Sequence, residues 1–288
     1  MLNPFASAFI PTFAYNNNAC PIAKAVSRLH NCGAEAKDIK RIKPVLAEWF
    51  SSTSLNRTLQ KWEEHNPEEQ CMSKAQNTPM TFILYNVEAL NSRDLEVTEL
   101  THQTETDFII CTEIGELGQQ RKITNYNMFY QKGTNKNGGV AIGVGKHLQA
   151  SEVGANLENT VIIDIFGLNE PLRVIGLYWP EKQKRNLEDI LPFIIKNTII
   201  SGDFNAAVQE WNSPNTDKRG KVVKKWSEEN HLKYVAGTFN SSKRSKRNID
   251  LTFANFEGLA GETLNFGTSD HWPILYKSEL IFLNRTAK

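Results

Sequence analysis

A chain of 288 residues with 40% apolar and 23% charged side chains is long enough for one large domain plus an appendage, and apolar enough to fill its core. Its formal charge of +1 excludes whole-chain attraction to nucleic acid and leaves only local basic clusters such as Lys243 to Arg247, KRSKR. No apolar run reaches the roughly 20 residues of a membrane span and no basic-then-apolar secretory signal opens the chain, so an intracellular protein is expected, cytoplasmic first and nuclear second.

In chain order, Met1 to Phe13 reads MLNPFASAFIPTF, an apolar, proline-bounded stretch with no helical stripe or partner strand beside it. Residues 1–18 are expected to form a disordered arm. Leu2, Asn3 and Pro4, followed by Ala6, Phe9 and Pro11, resemble the short motif by which many proteins bind the MLLE domain of poly(A)-binding protein. The resemblance implies that Leu2 and Phe9 fill two apolar pockets of that partner, with affinity limited by the cost of ordering the peptide. An arm that packs on its own domain is the ordinary alternative.

Residues 19–65 carry helical periodicity, with Ile39, Ile42, Leu46 and Trp49 on one face and Pro44 placed to kink or divide the helix. A small helical segment without catalytic groups is the expectation. Cys20, Cys32, Cys71 and Cys111 form no CxxC pair, so reduced thiols are expected, with a zinc site at Cys32 and His30 as the alternative. Residues 66–79 are polar and bounded by prolines, and read as a linker.

From residue 80 to 288 strand and helix patterns alternate, the signature of an α/β sandwich. Strands are predicted at Thr81 to Val87, Asp107 to Glu113, Gly138 to Val144, Thr160 to Phe166, Leu172 to Trp179, Thr198 to Asp203, Ile249 to Ala254 and Trp272 to Lys277. Helices are predicted at Asp94 to Gln103, Asn186 to Lys196 and Gly220 to Asn230, the last with Val222, Val223 and Trp226 inward.

Apolar strands stop repeatedly at groups able to ligate metal or phosphate. FILYN ends in Asn86 with Glu88 two residues on, FIICTE in Glu113 and VIGLY in Tyr178; IISGDFN supplies Asp203 and Asn205, NIDLTF Asp250, and GTSDHWPI Asp270 and His271. Gly202 is read as a turn that leaves Asp203 and Asn205 on one side of the sheet edge, a carboxylate for water and a carboxamide for a phosphoryl oxygen. Each group has an ordinary reading too: an Asx turn, a solvated strand end, a core-edge tyrosine, a satisfied histidine. Their recurrence at strand ends, where rigid elements can bring side chains to one point, favours a site.

This ordered set resembles the endonuclease/exonuclease/phosphatase superfamily over about Thr81 to Leu283. SGDFNA followed by RG, a helix ending in EEN, then IDLTFAN and TSDHWPI look most like the endonuclease domains of non-LTR retrotransposons. The resemblance implies a four-layer α/β sandwich, two mostly antiparallel β-sheets flanked by helices. It also implies a Mg²⁺ ion, with Mn²⁺ as a substitute, held by Glu113 with Asn86, Glu88 and Asp270. Asp203 would activate water, Asn205 and Tyr178 would hold phosphoryl oxygens, and Asp250 would pair with a protonated His271.

In one respect the chain departs from that pattern: AVQEWNS follows GDFNA, with Asn212 where glycine is expected, so the substrate-reading surface is expected to differ. No reverse transcriptase is expected so soon after the last strand. Lys243, Arg244, Lys246 and Arg247 are candidates to grip a nucleic-acid backbone, or else form a solvated loop. The expected activity is a nuclease recruited to poly(A)-binding protein and acting on RNA or messenger complexes. A retrotransposon-type DNA endonuclease, a catalytically silent adaptor and a small-molecule phosphatase are the alternatives.

Overall fold

The computed structural model describes residues 36–52, 77–116, 123–136 and 138–284, together with Ile22, Ala25, Val26, Leu29 and residues 55–57. Leu2, Asn3, Pro4, Ala6, Phe9 and Pro11 of the arm, Cys20, Cys32 and Cys71, and residues 66–76 of the linker lie outside them. Two compact units divide the chain, Met1–Ser73 and Lys74–Lys288.

In the first unit, α1 (Ala36–Ser51) runs through Pro44 without dividing. The backbone bond that proline removes falls at Lys40, an exposed residue. Leu46 packs with Ala25 and Leu55, and Ile39 is buried. Trp49, expected on the same face, is instead exposed at the last turn, beyond the reach of that small cluster.

Two six-stranded sheets build the second unit. The first has the order β11 (Leu259–Thr263), β12 (Ile274–Phe282), β1 (Pro79–Asn86), β2 (Phe108–Thr112), β4 (Gly139–Gly145), β3 (Tyr126–Lys132). The order in the second is β5 (Gln149–Glu152), β6 (Thr160–Phe166), β7 (Leu172–Tyr178), β8 (Thr198–Asp203), β10 (Asp250–Ala254), β9 (Lys233–Tyr234). Each sheet holds one parallel pair, β1 with β2 and β7 with β8, and its other neighbours are antiparallel.

Alternation along the strands decides the layers, because successive side chains point to opposite faces. Phe82 and Leu84, Phe108 and Ile110, Val140 and Ile142 meet Val161, Ile163, Val174 and Ile199 in one core between the sheets. Phe82 stacks on Phe108 and Tyr276 there, with ring centroids 4.7 and 4.6 Å away. The opposite set on the first sheet, Ile83, Tyr85, Ile109 and Cys111, packs under Leu90, Val97 and Leu100 of α2 (Leu90–Gln103). On the second sheet Ile200, Leu251 and Phe253 pack under Val223 and Trp226 of α3 (Lys218–Glu229). The result is the expected helix, sheet, sheet, helix sandwich.

Two predicted details change. Asn186 to Lys196 contains a 3-10 helix at Leu187–Phe193, with Pro192 inside, rather than an α-helix. Val222 is exposed because α3 turns only Gly220, Val223, Trp226 and Ser227 to the sheet.

Candidate active site

The inner-face register that makes the core also makes the site. Continuing the alternation of Phe82 and Leu84 by one step brings Asn86 inward, and Phe108 and Ile110 lead likewise to Thr112, its partner in the parallel ladder. In the second sheet Val174 leads to Tyr178 and Ile199 to Asp203; Tyr178 pairs with Asp203, and Asp203 with Asp250. One rim of the sandwich is therefore polar on both inner faces. Asn86, Asp203 and Asp250 are nevertheless almost fully buried, at 1%, 1% and 2% exposure.

Gly202 makes no turn; it stays within β8, where a β-carbon would lie 1.7 Å from the Leu177 carbonyl oxygen. The turn comes after Asp203. The Asn205 amide donates to Asp203 Oδ1 at 2.8 Å, closing an Asx turn, and Asn205 itself adopts a left-handed φ of 49°. Glu113, just past β2, has a φ of 52°. A left-handed backbone costs most residues with a β-carbon about 1–2 kcal/mol, less for asparagine, and Glu113 and Asn205 both adopt it at this rim.

Asp203 is the hub. Its Oδ2 accepts from Asn86 Nδ2 at 3.0 Å and from Asn205 Nδ2 at 3.2 Å, so the first sheet and the turn after β8 donate to one oxygen. Asn86 also lies close enough to Glu113 to favour its ionised form, and its own oxygen receives the Glu88 amide at 3.2 Å. The nitrogen of Asn86, not its oxygen, thus faces the carboxylates. The Tyr178 hydroxyl sits in the field of the Glu113 and Asp203 carboxylates, with Asn135 beside it. His271 Nδ1 lies 2.5 Å from Asp250 Oδ2, and its Nε2 is 4.0 Å from Asp270 Oδ1.

Electrostatics follow from this packing. Burial, the nearby Asp250 carboxylate and Glu113 raise the Asp203 carboxyl well above the usual range, and burial raises Glu113 too. Burial alone would make His271 less basic. The carboxylates of Asp250, Asp203 and Asp270 outweigh it and push the imidazole up to about 10, so His271 is a cation at neutral pH.

Glu88 turns its carboxylate to Arg93 at 3.2 Å and to Arg244 at 3.8 Å. Among the described residues no three His, Cys, Asp or Glu side chains form a closed cage for an ion. The donor set still suits Mg²⁺, which takes one or two carboxylates and keeps several waters. Glu113 and Asp270 are hard oxygen donors that repel one another across the site, and Asp250 Oδ1 is buried without a partner. A divalent cation would relieve that repulsion.

The basic loop is divided in its duties. The Lys243 ammonium donates to the Gly267 carbonyl at 2.8 Å and sits 3.7 Å from the centre of the Trp272 ring. Arg247 pairs with Asp217, the N-cap of α3. Arg244 is exposed and lies 3.2 Å from Asp270, while Lys246 is exposed on the loop. A bridge between Ser242 and His271 brings this loop to the rim.

Sequence reasoning missed Asn135, Ser269 and Glu96. Ser269 donates to the Asn86 carbonyl at 2.7 Å, and Glu96 ties Tyr85 at 2.6 Å to the Thr268 hydroxyl at 2.7 Å, fixing the approach to His271. Ser269 stood beside Asp270 in TSDHWPI as a signal; Asn135 and Glu96 had none.

Comparison with known proteins bears on the fold. The family model for endonuclease-reverse transcriptase matches residues 172–275, from β7 into β12. The endonuclease domain of TRAS1, a telomere-specific non-LTR retrotransposon, superposes with a TM-score of 0.61 at 18% identity, covering 72% of this chain and 100% of that one. Lys74–Lys288 has the endonuclease/exonuclease/phosphatase fold. Other structures with this fold include an AP endonuclease from Archaeoglobus fulgidus, with a TM-score of 0.55 at 15% identity, covering 70% of this chain and 100% of that one. The 3' phosphatase NExo from Neisseria, bound to product DNA hairpin, superposes at 0.50 with 15% identity, covering 69% of this chain and 99% of that one. No curated protein matches the sequence. Within the endonuclease/exonuclease/phosphatase fold, the polar rim described above lies at the carboxyl ends of both parallel strand pairs.

Proposed function

We propose that the domain is a divalent-cation-dependent phosphodiesterase that hydrolyses nucleic acid. The observation that carries this reading is Asp203, gripped by Asn86 from the facing sheet and by Asn205 from the turn after its own strand, in the field of a protonated His271. A carboxylate whose basicity is raised by burial is suited to hold and deprotonate a water near neutral pH. His271, kept cationic by Asp250, donates toward a phosphoryl oxygen, and Tyr178 and Asn205 supply further donors as negative charge redistributes. Glu113 and Asp270 would hold the cation, with Asn86 orienting Glu113; the ion supplies Lewis-acid polarisation of the phosphate and charge for the departing oxygen.

Two substrates are supported by different observations. The likeness of Leu2 to Pro11 to the MLLE-binding motif supports RNA, since tethering beside a poly(A) tail raises the local concentration of messenger without any new active-site contact. The likeness to retrotransposon and AP endonucleases supports DNA. Incubating the full chain with Mg²⁺ and plasmid, single-stranded RNA or poly(A)-tailed RNA separates them. Cleavage of the tailed RNA ahead of the untailed one when poly(A)-binding protein is added supports recruitment, and inertness toward all RNA removes the first option. An adaptor has no need of the Asp203, His271 and Glu113 constellation; retention of every cellular effect by His271→Ala would favour it.

A further inference from the structure

Arg219 is the second residue of α3 and spends its guanidinium on backbone rather than on the rim side chains, reaching four backbone carbonyls at once. Its Nη1 donates to the oxygens of Trp179 at 2.8 Å and Phe204 at 3.2 Å, and its Nη2 to those of Pro180 at 3.2 Å and Glu181 at 2.7 Å. The guanidinium carbon lies 4.3 Å from the centre of the Trp179 ring. These carbonyls belong to the two chain segments that leave β7 and β8 just beyond Tyr178 and Asp203, where the ladder pairing ends. Apart from the arginine, they are joined by the Trp179 amide donating to the Asp203 carbonyl at 2.8 Å and by Asn205 Nδ2 donating to the Trp179 carbonyl.

We infer that Arg219 is a positioning residue which sets the aim of Asn205 and Tyr178 by clamping the exits of β7 and β8 together. The Trp179 carbonyl is the shared element: it receives Arg219 and, at 3.3 Å, Asn205 Nδ2. Asn205 has a left-handed backbone, a conformation that must be held by its surroundings. The next residue explains how the arginine comes so close. A β-carbon at Gly220 would lie 1.9 Å from the Ala207 carbonyl oxygen, so glycine lets α3 press on the strand exit. Asp217 caps the same turn through Gly220 at 2.6 Å and also receives the Ala207 amide at 3.2 Å. The Arg-Gly dipeptide thus couples helix to site. Lysine cannot replace it fully, because a single ammonium cannot present a planar fork to four carbonyls.

The inference rests on the phosphodiesterase reading, and a double-mutant cycle tests it in the full chain. Arg219→Met and Arg219→Lys are compared with wild type for kcat, KM and Tm, alone and combined with Asn205→Ala. Misplacement of a reacting group by about 1 Å costs on the order of 10²-fold, so Arg219→Met is expected to lose about that in kcat with KM within about threefold of wild type. Arg219→Lys is expected to fall between. Within Asn205→Ala, removing Arg219 is expected to cost no more than about threefold further, because both act through one aim. A folded Arg219→Met or Arg219→Lys with wild-type kcat overturns the inference, as does full multiplicative loss in the combined variant. Wild-type chain that cleaves no nucleic acid with any divalent cation overturns the phosphodiesterase reading and this inference together; the other two outcomes leave that reading intact.

Discussion

Asn86 and Asp203, 117 residues apart in the chain, meet at 3.0 Å across the two sheets, each from the last residue of a strand with a parallel neighbour. The contact ties the inter-sheet register to the chemistry, because a slip of one residue in either strand would turn one of the pair outward. Asp203 is held in burial that disfavours its charge. Replacing it with the isosteric amide removes that cost together with the proposed base. Asp203→Asn is therefore expected to lose about 10²–10⁴-fold in cleavage rate while its Tm stays at or above wild type. Parallel kinetics and calorimetry check this, and a large loss of Tm would contradict it.

His271 gives a pH dependence of definite sign. Its folded-state value of about 10 lies above the ordinary 6.5 because the surrounding carboxylates outweigh burial. The folded protein binds this proton more tightly than the unfolded chain, so the stabilising contribution is full below about 6.5 and is lost as pH rises through about 10. Thermal melts across that window are expected to fall more steeply for wild type than for His271→Gln. Equal slopes would show that the imidazole titrates alike in both states.

The division of the basic loop separates two arginines that look equivalent in sequence. Arg244 is exposed beside Asp270, whereas Arg247 is committed to Asp217 at the start of α3. Arg244→Ala is expected to weaken nucleic-acid binding and lower the slope of log K against log salt by about 1. Arg247→Ala is expected instead to cost about 0.5–2 kcal/mol of stability through the cap, with the salt slope unchanged. Binding isotherms at several salt concentrations, with melts of both variants, check the pair.

Gly220→Ala forces a methyl group against the Ala207 carbonyl. Overpacking of this kind costs about 1–3 kcal/mol, which denaturant titration would register. An unchanged midpoint would mean that α3 is free to lift.

What was legible in the sequence follows from burial. Strands covered on both faces read as unbroken apolar runs, so β6 and β8 match the expected bounds to the residue and the other interior strands to within two, except β12, whose half-exposed end runs five residues past the expected Lys277. The four strands left unread, β3, β5, β9 and β11, are the four sheet edges. An edge strand has one neighbour and partial cover; YNMFYQK and QASE mix polar and apolar side chains accordingly. The site shows the same division. Asp203, Asn205, Asp250 and His271 stood out because polar residues ended apolar runs. The roles of Arg219, Ser269 and Asn135 depend on which carbonyl or side chain lies opposite, which only the packing of two sheets determines. KRSKR looked uniform because sequence shows charge but not the carboxylates and carbonyls that claim it.

The most direct measurement is cleavage of nucleic acid by the full chain with Mg²⁺, with chelator in its place, and by His271→Ala with Mg²⁺. Cleavage is expected in the first reaction alone, with the His271→Ala rate lower by at least about 10²-fold. Undiminished cleavage by His271→Ala, or equal rates with metal and with chelator, would contradict the assignment of this rim as the catalytic centre.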